Sequence, residues 1–409
     1  MKKIILSLAI CSIFYVSSCS NELENLTVSD QKIDLSVTKN TDLLSGEGNF
    51  QNVKTVPNTY IIVFKDDAVT DVDLESDKIN NEHGGNKLFT YKHTIKGFAS
   101  ANLSTKAIEA IKRNPKVSYV EQDQEVFAIS TQTPTPSWGL DRIDQGQSTL
   151  PLDNSFTYPN TGSGVKAYII DTGIKLDHKD FGNRAIKGID VINKTFIDGN
   201  GHGTHVSGTV GGTTYGVAKG VTLVAVRVLN NQGSGTISGV IAGVDWTAKD
   251  HTTELAVANM SLGGGISSTL DASVKKAIAD GIVFCVAAGN SKADASTSSP
   301  ARVVEAITVA ASEKNDVFAS YSNYGSIVDL IAPGSAITSD WNTSTTATNT
   351  ISGTSMATPH VTGAAALYLV KNPSATPAEV QTALKNVAAL GKVTGVPAGT
   401  SNALLQVVQ

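Results

Sequence analysis

The chain has 409 residues, 41% hydrophobic and 17% charged, with 36 glycines, three cysteines and a net charge of −5. This length holds two or three domains; the ordinary apolar fraction excludes general disorder, and the lack of a glycine period or sustained heptad excludes collagen and coiled coil. An acidic balance with no basic stripe excludes a nucleic-acid partner, and a charged fraction under the usual value of about 25% points to a sheet buried on both faces.

Lys2 and Lys3 precede a short apolar run, Ile4 to Val16, which ends in Ser17 and Ser18 before Cys19. That is the layout of a secretory signal peptide over residues 1–18, too short to span a membrane as a helix. Val16-Ser17-Ser18-Cys19 resembles a bacterial lipobox, in which the cysteine is lipidated and becomes the new N-terminus, although leucine is commoner where Val16 stands. The alternative is a plain signal peptide with an incidental cysteine. Residues 19–56 are polar and without period, and read as a tether.

Residues 57–129 change character. Tyr60–Phe64, Phe98–Leu103 and Val117–Val120 are strand-like, and Ser104–Arg113 is helical, with Ser104 as N-cap and Asn114-Pro115 closing it. This predicts a compact α+β module. Ser130–Ser137 is a polar, proline-containing joint, exposed and cleavable, which opens the last domain, residues 130–409. Its apolar strands, Val165–Ile170, Val221–Val228, Ala256–Met260, Ile282–Ala288 and Ala306–Ala311, are separated by helical stretches. Unalternated strands of this kind predict an α/β fold around a parallel sheet covered on both faces. Cys285, left alone once the leader cysteines are set aside, sits inside one of these runs and reads as a small core hydrophobe.

The chemistry concentrates at three points of this domain. Asp171 follows an apolar strand directly, at the carboxyl edge where open α/β sheets place their sites, though such an acid is commonly a turn or cap residue. His202 stands among glycines in Gly201-His-Gly-Thr-His205, at the start of a helical run. His202 and His205 share a helix face, so a metal pair is an alternative, but no glutamate follows in the metalloprotease arrangement. Ser355 precedes the apolar helix Val361–Val370, where free N–H groups and the positive dipole end favour a developing oxyanion; a serine there also serves as a simple cap. The order along the chain is Asp, His, Ser, which is the subtilisin order.

Asp171-Thr-Gly, Gly201-His-Gly-Thr-His205, Gly353-Thr-Ser-Met-Ala357 and Ala287-Ala-Gly-Asn290 together resemble the subtilases, and the wording is closest to the proteinase K and aqualysin branch. The resemblance runs from about Ser130 to Gln409. The preceding module, with Lys96-Gly-Phe-Ala99, is similar to the subtilase inhibitory propeptide, which implies a ferredoxin-like fold and an intramolecular inhibitor.

The resemblance implies a secreted, monomeric serine endopeptidase of broad specificity, made as a zymogen that cuts itself between Ala128 and Thr133. Ser355 becomes the nucleophile, His202 the general base and Asp171 its orienting acid, with the Asn290 amide facing the oxyanion. Gly233, Ser234 and Gly235 on one side, and Ser261, Leu262 and Gly263 on the other, sandwich the peptide as an added strand. It also implies a calcium ion held by Asp329 and the carbonyls of Val304 and Ala306. The positions of aqualysin cysteines carry Gly199, Asn231, Ser296 and Ile327, so no disulfide staples this domain. The competing readings are a catalytically silent subtilase fold that serves as a binding partner, and a metal-dependent hydrolase using His202 and His205.

Overall fold

The computed structural model describes residues 55–124, 130–147 and 150–407. Cys19, the expected leader and nearly all of the tether lie outside the described residues, as do residues 125–129.

Residues Thr55–Gln124 build a four-stranded antiparallel sheet in the order Asn86–Tyr91, Gly97–Ala101, Thr55–Phe64, Val117–Gln124. The helices Val72–Glu82 and Thr105–Lys112 close over one face. Alternation along the strands sends Ile62, Phe64 and Phe98 to that face, where they meet Ile79, Ile108 and Ile111. Ser104 caps its helix as expected, accepting from the Ala107 N–H at 3.2 Å. Helix Val72–Glu82 and strand Asn86–Tyr91 have no counterpart in the sequence expectation. The helix buries Ser76 and Asn80 beside Val72 and Ile79, so its inner stripe is half polar, and no residue of the edge strand is fully buried.

The larger part is organised on a nine-stranded sheet among the described residues. Its order is Ala389–Leu390, Ala403–Leu404, Leu330–Pro333, Ile307–Ser312, Val283–Ala287, Leu255–Met260, Val165–Asp171, Thr222–Arg227, Ala185–Asp190, parallel throughout except at the first pair. All five expected strands are present. Their runs are apolar because both faces are covered. Helices His202–Gly211 and Thr354–Lys371 pack on one side with Val206, Val210, Val361 and Leu367; Ile237–Asp250 and Ser268–Ala279 pack on the other with Val240, Val244, Leu270 and Val274. Cys285 is fully buried in its strand, and burial pushes its thiol pKa up to about 12, which leaves it inert as a nucleophile. The expected joint is partly structured: Ser130–Gln132 pairs with Phe156–Tyr158, and the Gln132 amide donates to the Thr214 carbonyl at 3.1 Å.

Candidate active site

Val165–Asp171 is the strand on either side of which the chain continues in opposite directions across the sheet, with Leu255–Met260 on one side and Thr222–Arg227 on the other. Open α/β sheets form their crevice at such a switch, beyond the carboxyl ends of the strands, and Asp171 is the last residue of this one. Its buried carboxylate accepts from the Thr172 N–H at 2.7 Å and lies 2.8 and 3.0 Å from Nδ1 of His202. A carboxylate on Nδ1 fixes the tautomer and leaves Nε2 free to take a proton.

His202 opens the helix His202–Gly211, whose N-cap is Gly201, a residue with φ of 107° and no capping side chain. The cap comes instead from Asp198. It accepts from the N–H groups of Gly201 at 2.8 Å and Thr204 at 3.0 Å, and from the Thr172 hydroxyl at 2.9 Å. Thr172 in turn accepts from the Gly203 N–H at 2.8 Å, so the strand end and the helix start are bonded to each other. A Cβ on Gly203 would stand 2.1 Å from the Gly173 carbonyl, and this close approach is why glycine follows the histidine. Burial alone lowers the His202 pKa; the charge and hydrogen bond of Asp171, with the charge of Asp198, outweigh it and hold the pKa above the ordinary 6.5.

Ser355 is the second residue of the helix Thr354–Lys371, so its N–H has no intrahelical acceptor. Pro359 within this helix has no N–H to offer the Ser355 carbonyl four residues back. The Ser261 hydroxyl takes that place, donating to the Ser355 carbonyl at 2.8 Å, while the Ser355 hydroxyl donates to the Ser261 carbonyl at 3.1 Å. Behind them, Thr362 donates to Asn259 at 2.9 Å and the Asn259 amide donates to the Ser261 hydroxyl at 2.8 Å. Asn290 accepts on Oδ1 from both the N–H and the hydroxyl of Thr354, at 2.8 and 3.0 Å. Those donors identify Oδ1 and leave Nδ2 as the free donor of the amide.

Two cavities share Ser261–Gly264 as lining. One, of about 610 Å³, is lined by His202, by Gly233, Ser234 and Gly235 on one wall and by Ser261, Leu262 and Gly263 on the other. The second, of about 280 Å³, holds Ser355 and Asn290 and is walled by Ala287, Ala288, Gly289, Ala301 and Asn323. A Cβ on Gly264 or Gly265 would meet nothing within 4 Å, so these glycines keep the wall bare rather than make room for the protein's own packing. Every substrate-contacting residue expected from the sequence thus lines one cleft; Asp198, Asn259, Thr362 and the small second cavity were not expected.

The profile of the subtilase family matches residues 162–404, and that of the peptidase inhibitor I9 family matches residues 59–128. The chain belongs to the subtilase family. It is 51% identical over 352 residues to the extracellular serine proteinase of Thermus sp., covering 81% of this chain and 85% of that protein. It is 50% identical over 323 residues to the alkaline serine exoprotease A of Vibrio alginolyticus, covering 77% of this chain and 59% of that one. A crystal structure of a cold-adapted subtilisin-like serine proteinase aligns with a TM-score of 0.65 at 50% identity, over 68% of this chain and all of the other. The chain is therefore a subtilisin-like serine protease that carries its own inhibitor module, and the fold is the one expected.

Within this subtilase the other sequence candidates separate. His205 is fully buried, with Nε2 3.0 Å from the Ile337 carbonyl, and burial pushes its pKa down to about 4. His202 gives Nδ1 to Asp171 and His205 gives Nε2 to a backbone carbonyl, and among the described residues no group of three or more His, Cys, Asp or Glu side chains is placed to hold a metal ion. Asp329, Val304 and Ala306 are brought together as the subtilase resemblance implied, but their oxygens are already engaged. Asp329 accepts from the Lys385 ammonium at 2.9 Å and the Thr308 N–H at 3.0 Å; the Gln381 amide lies 3.2 Å from the Ala306 carbonyl and 3.5 Å from that of Val304. This arrangement does not fit a calcium ion.

Proposed function

We propose that the subtilase cleaves polypeptides through Asp171, His202 and Ser355. As a peptide enters, the Ser355 hydroxyl turns from the Ser261 carbonyl to Nε2 of His202, which takes its proton while Oγ attacks the scissile carbonyl. Asp171 keeps Nδ1 protonated and stabilises the imidazolium. The tetrahedral oxyanion accepts from Nδ2 of Asn290 and the Ser355 N–H. His202 then returns the proton to the leaving amine, and water repeats the sequence on the acyl-enzyme. The observation that carries this reading is the His202–Asp171 pair, because it commits the ring to the tautomer a general base needs. Ser355→Ala should abolish labelling by a fluorophosphonate and casein hydrolysis alike; hydrolysis that survives this change would overturn the assignment. Asn290→Ala should lower turnover by about 10² to 10³ while labelling persists, the magnitude measured in subtilisin, a member of this same family.

Broad specificity rests on two features. The bare walls at Gly233–Gly235 and Ser261–Gly265 offer backbone to backbone, which ignores side-chain identity. The pocket beside Ser355 is lined without a charged residue, so it favours uncharged side chains of moderate size without demanding one. The enzyme is exported, in keeping with the leader pattern of residues 1–18 and with the extracellular relative, and Cys19 carries a lipid on the precursor. The inhibitor module occupies the cleft until the enzyme cuts the joint that follows it.

A further inference from the structure

We infer that Lys385 is the built-in cation of the Asp329 site, and that this lysine and Gln381 take the place of a calcium ion there. Both stand on the helix Pro377–Val387, four residues apart and therefore on one face. That helix is fixed at its start by a capping box between Thr376 and Glu379 and by a proline in the first turn, so the two side chains are delivered from a rigid element. Their targets are the hard oxygens a calcium ion would need: one Asp329 carboxylate, 12% exposed, and the Ala306 and Val304 carbonyls. The ammonium supplies the charge and the amide supplies the donors.

Charge counting decides between the two cations. The remaining nearby acid, Glu305, sits between the two carbonyl residues but pairs with Lys275 at 3.3 Å. Asp329 against Lys385 is therefore neutral. A calcium ion at the 2.3–2.6 Å its ligands require would add two positive charges to a site with no anion left to balance them. The same clamp serves the fold. Asp329 is also bonded to Thr308 through its own N–H, which donates to the Thr308 carbonyl at 2.9 Å, so Lys385 ties the helix to the adjoining ends of the strands Ile307–Ser312 and Leu330–Pro333.

The test uses the full chain with Ser355→Ala, which stops self-digestion, and measures melting temperature in EDTA and in calcium chloride. Adding Lys385→Met should lower the melting temperature in EDTA by about 2–4 °C, the shift expected for the loss of one modest interaction in a domain of this size. Calcium should then raise the Lys385→Met melting temperature more than that of its parent, because the vacated carboxylate takes the ion. Lys385→Arg, which keeps the charge, should behave as the parent does. Unchanged stability of Lys385→Met in EDTA overturns the inference, and so does an equal calcium response in the two chains.

Discussion

In the proposed mechanism, His202 and Asp171 set the acid side of the activity profile. General-base catalysis needs the neutral ring, and Asp171 and Asp198 together hold the His202 pKa above 6.5. Activity should therefore fall as pH drops through a value above 6.5, and Asp198→Asn should move that limb to lower pH by removing one of the two anions. The kcat/KM profile on an uncharged peptide reads this directly; a limb that stays in place would remove Asp198 from the electrostatics. Asp340 makes a second pH argument. Both of its oxygens are buried, and burial first, then the charge of Asp180 and a hydrogen bond with that carboxyl, push its pKa up to about 9, against the opposing charge of Arg184. His178 also faces it, with Nδ1 3.5 Å away. A raised carboxyl pKa contributes stability that is fully present below 3.8 and is lost as pH rises through about 9. Asp340→Asn should match the parent below pH 3.8 and melt progressively higher than it as pH rises toward 9. Melting curves across that range that stay parallel would count against a protonated Asp340. Asp340 was not evident in the sequence as a perturbed acid, because Asp180 and Arg184, which act on it, come from another segment of the chain.

At the scale of elements, the loop before His202 depends on one buried ion pair. Asp190 accepts from the N–H groups of Ile192, Asn193 and Phe196, and Arg227 joins it at 3.2 Å while also donating to Asn193, Thr195 and Asn231. Burial raises the Asp190 pKa, but those N–H bonds and Arg227 more than reverse it, so the acid stays charged. Arg227→Met leaves that charge unpaired and should cost about 3–5 kcal/mol in denaturant unfolding. Much of that loss should fade as pH falls below 3.8 and Asp190 takes up a proton. The cleft wall behaves in the opposite way. A Cβ on Gly263 would meet only the Ser299 carbonyl, at an ordinary 3.6 Å, so Gly263→Val should fold with a stability change under about 0.5 kcal/mol. Its KM for a long peptide should nevertheless rise, because the side chain would stand where the proposed substrate strand lies; an unchanged KM would place the substrate elsewhere. The wall glycines were legible in the sequence as a motif, and the five apolar strands as unbroken runs. Strand Ala185–Asp190 and helix Val72–Glu82 were not, since their outer or polar positions dilute the apolar pattern. The Thr362–Asn259–Ser261 chain behind Ser355 was also invisible, because Asn259 and Thr362 lie 103 residues apart and only the fold brings them together.

For the whole molecule, the proposed cleavage would separate everything before it from the protease. Ser130–Gln132 is already paired with Phe156–Tyr158, and Thr131 and Thr157 bring their hydroxyls within 3.2 Å. A cut after Ser130 would take part of this strand away, so within the window expected from the sequence the pairing favours a mature chain that begins at Ile129 or Ser130. A lipid on Cys19 would then be joined to the protease only through the inhibitor module, and the same cut would detach the enzyme from the membrane. Among the described residues no helix is long and apolar enough to hold it there. A lipoprotein's several acyl chains anchor firmly where a single one does not, so the uncut precursor should stay with the membrane. Cells expressing Ser355→Ala should therefore keep the full chain in the membrane fraction, whereas wild-type cells should release activity into the soluble fraction. Mass spectrometry of that released enzyme should find Ile129 or Ser130 as its first residue and no lipid. A soluble Ser355→Ala precursor would remove the lipid stage, and an active enzyme that stays membrane-bound would show that cleavage and release are separate events.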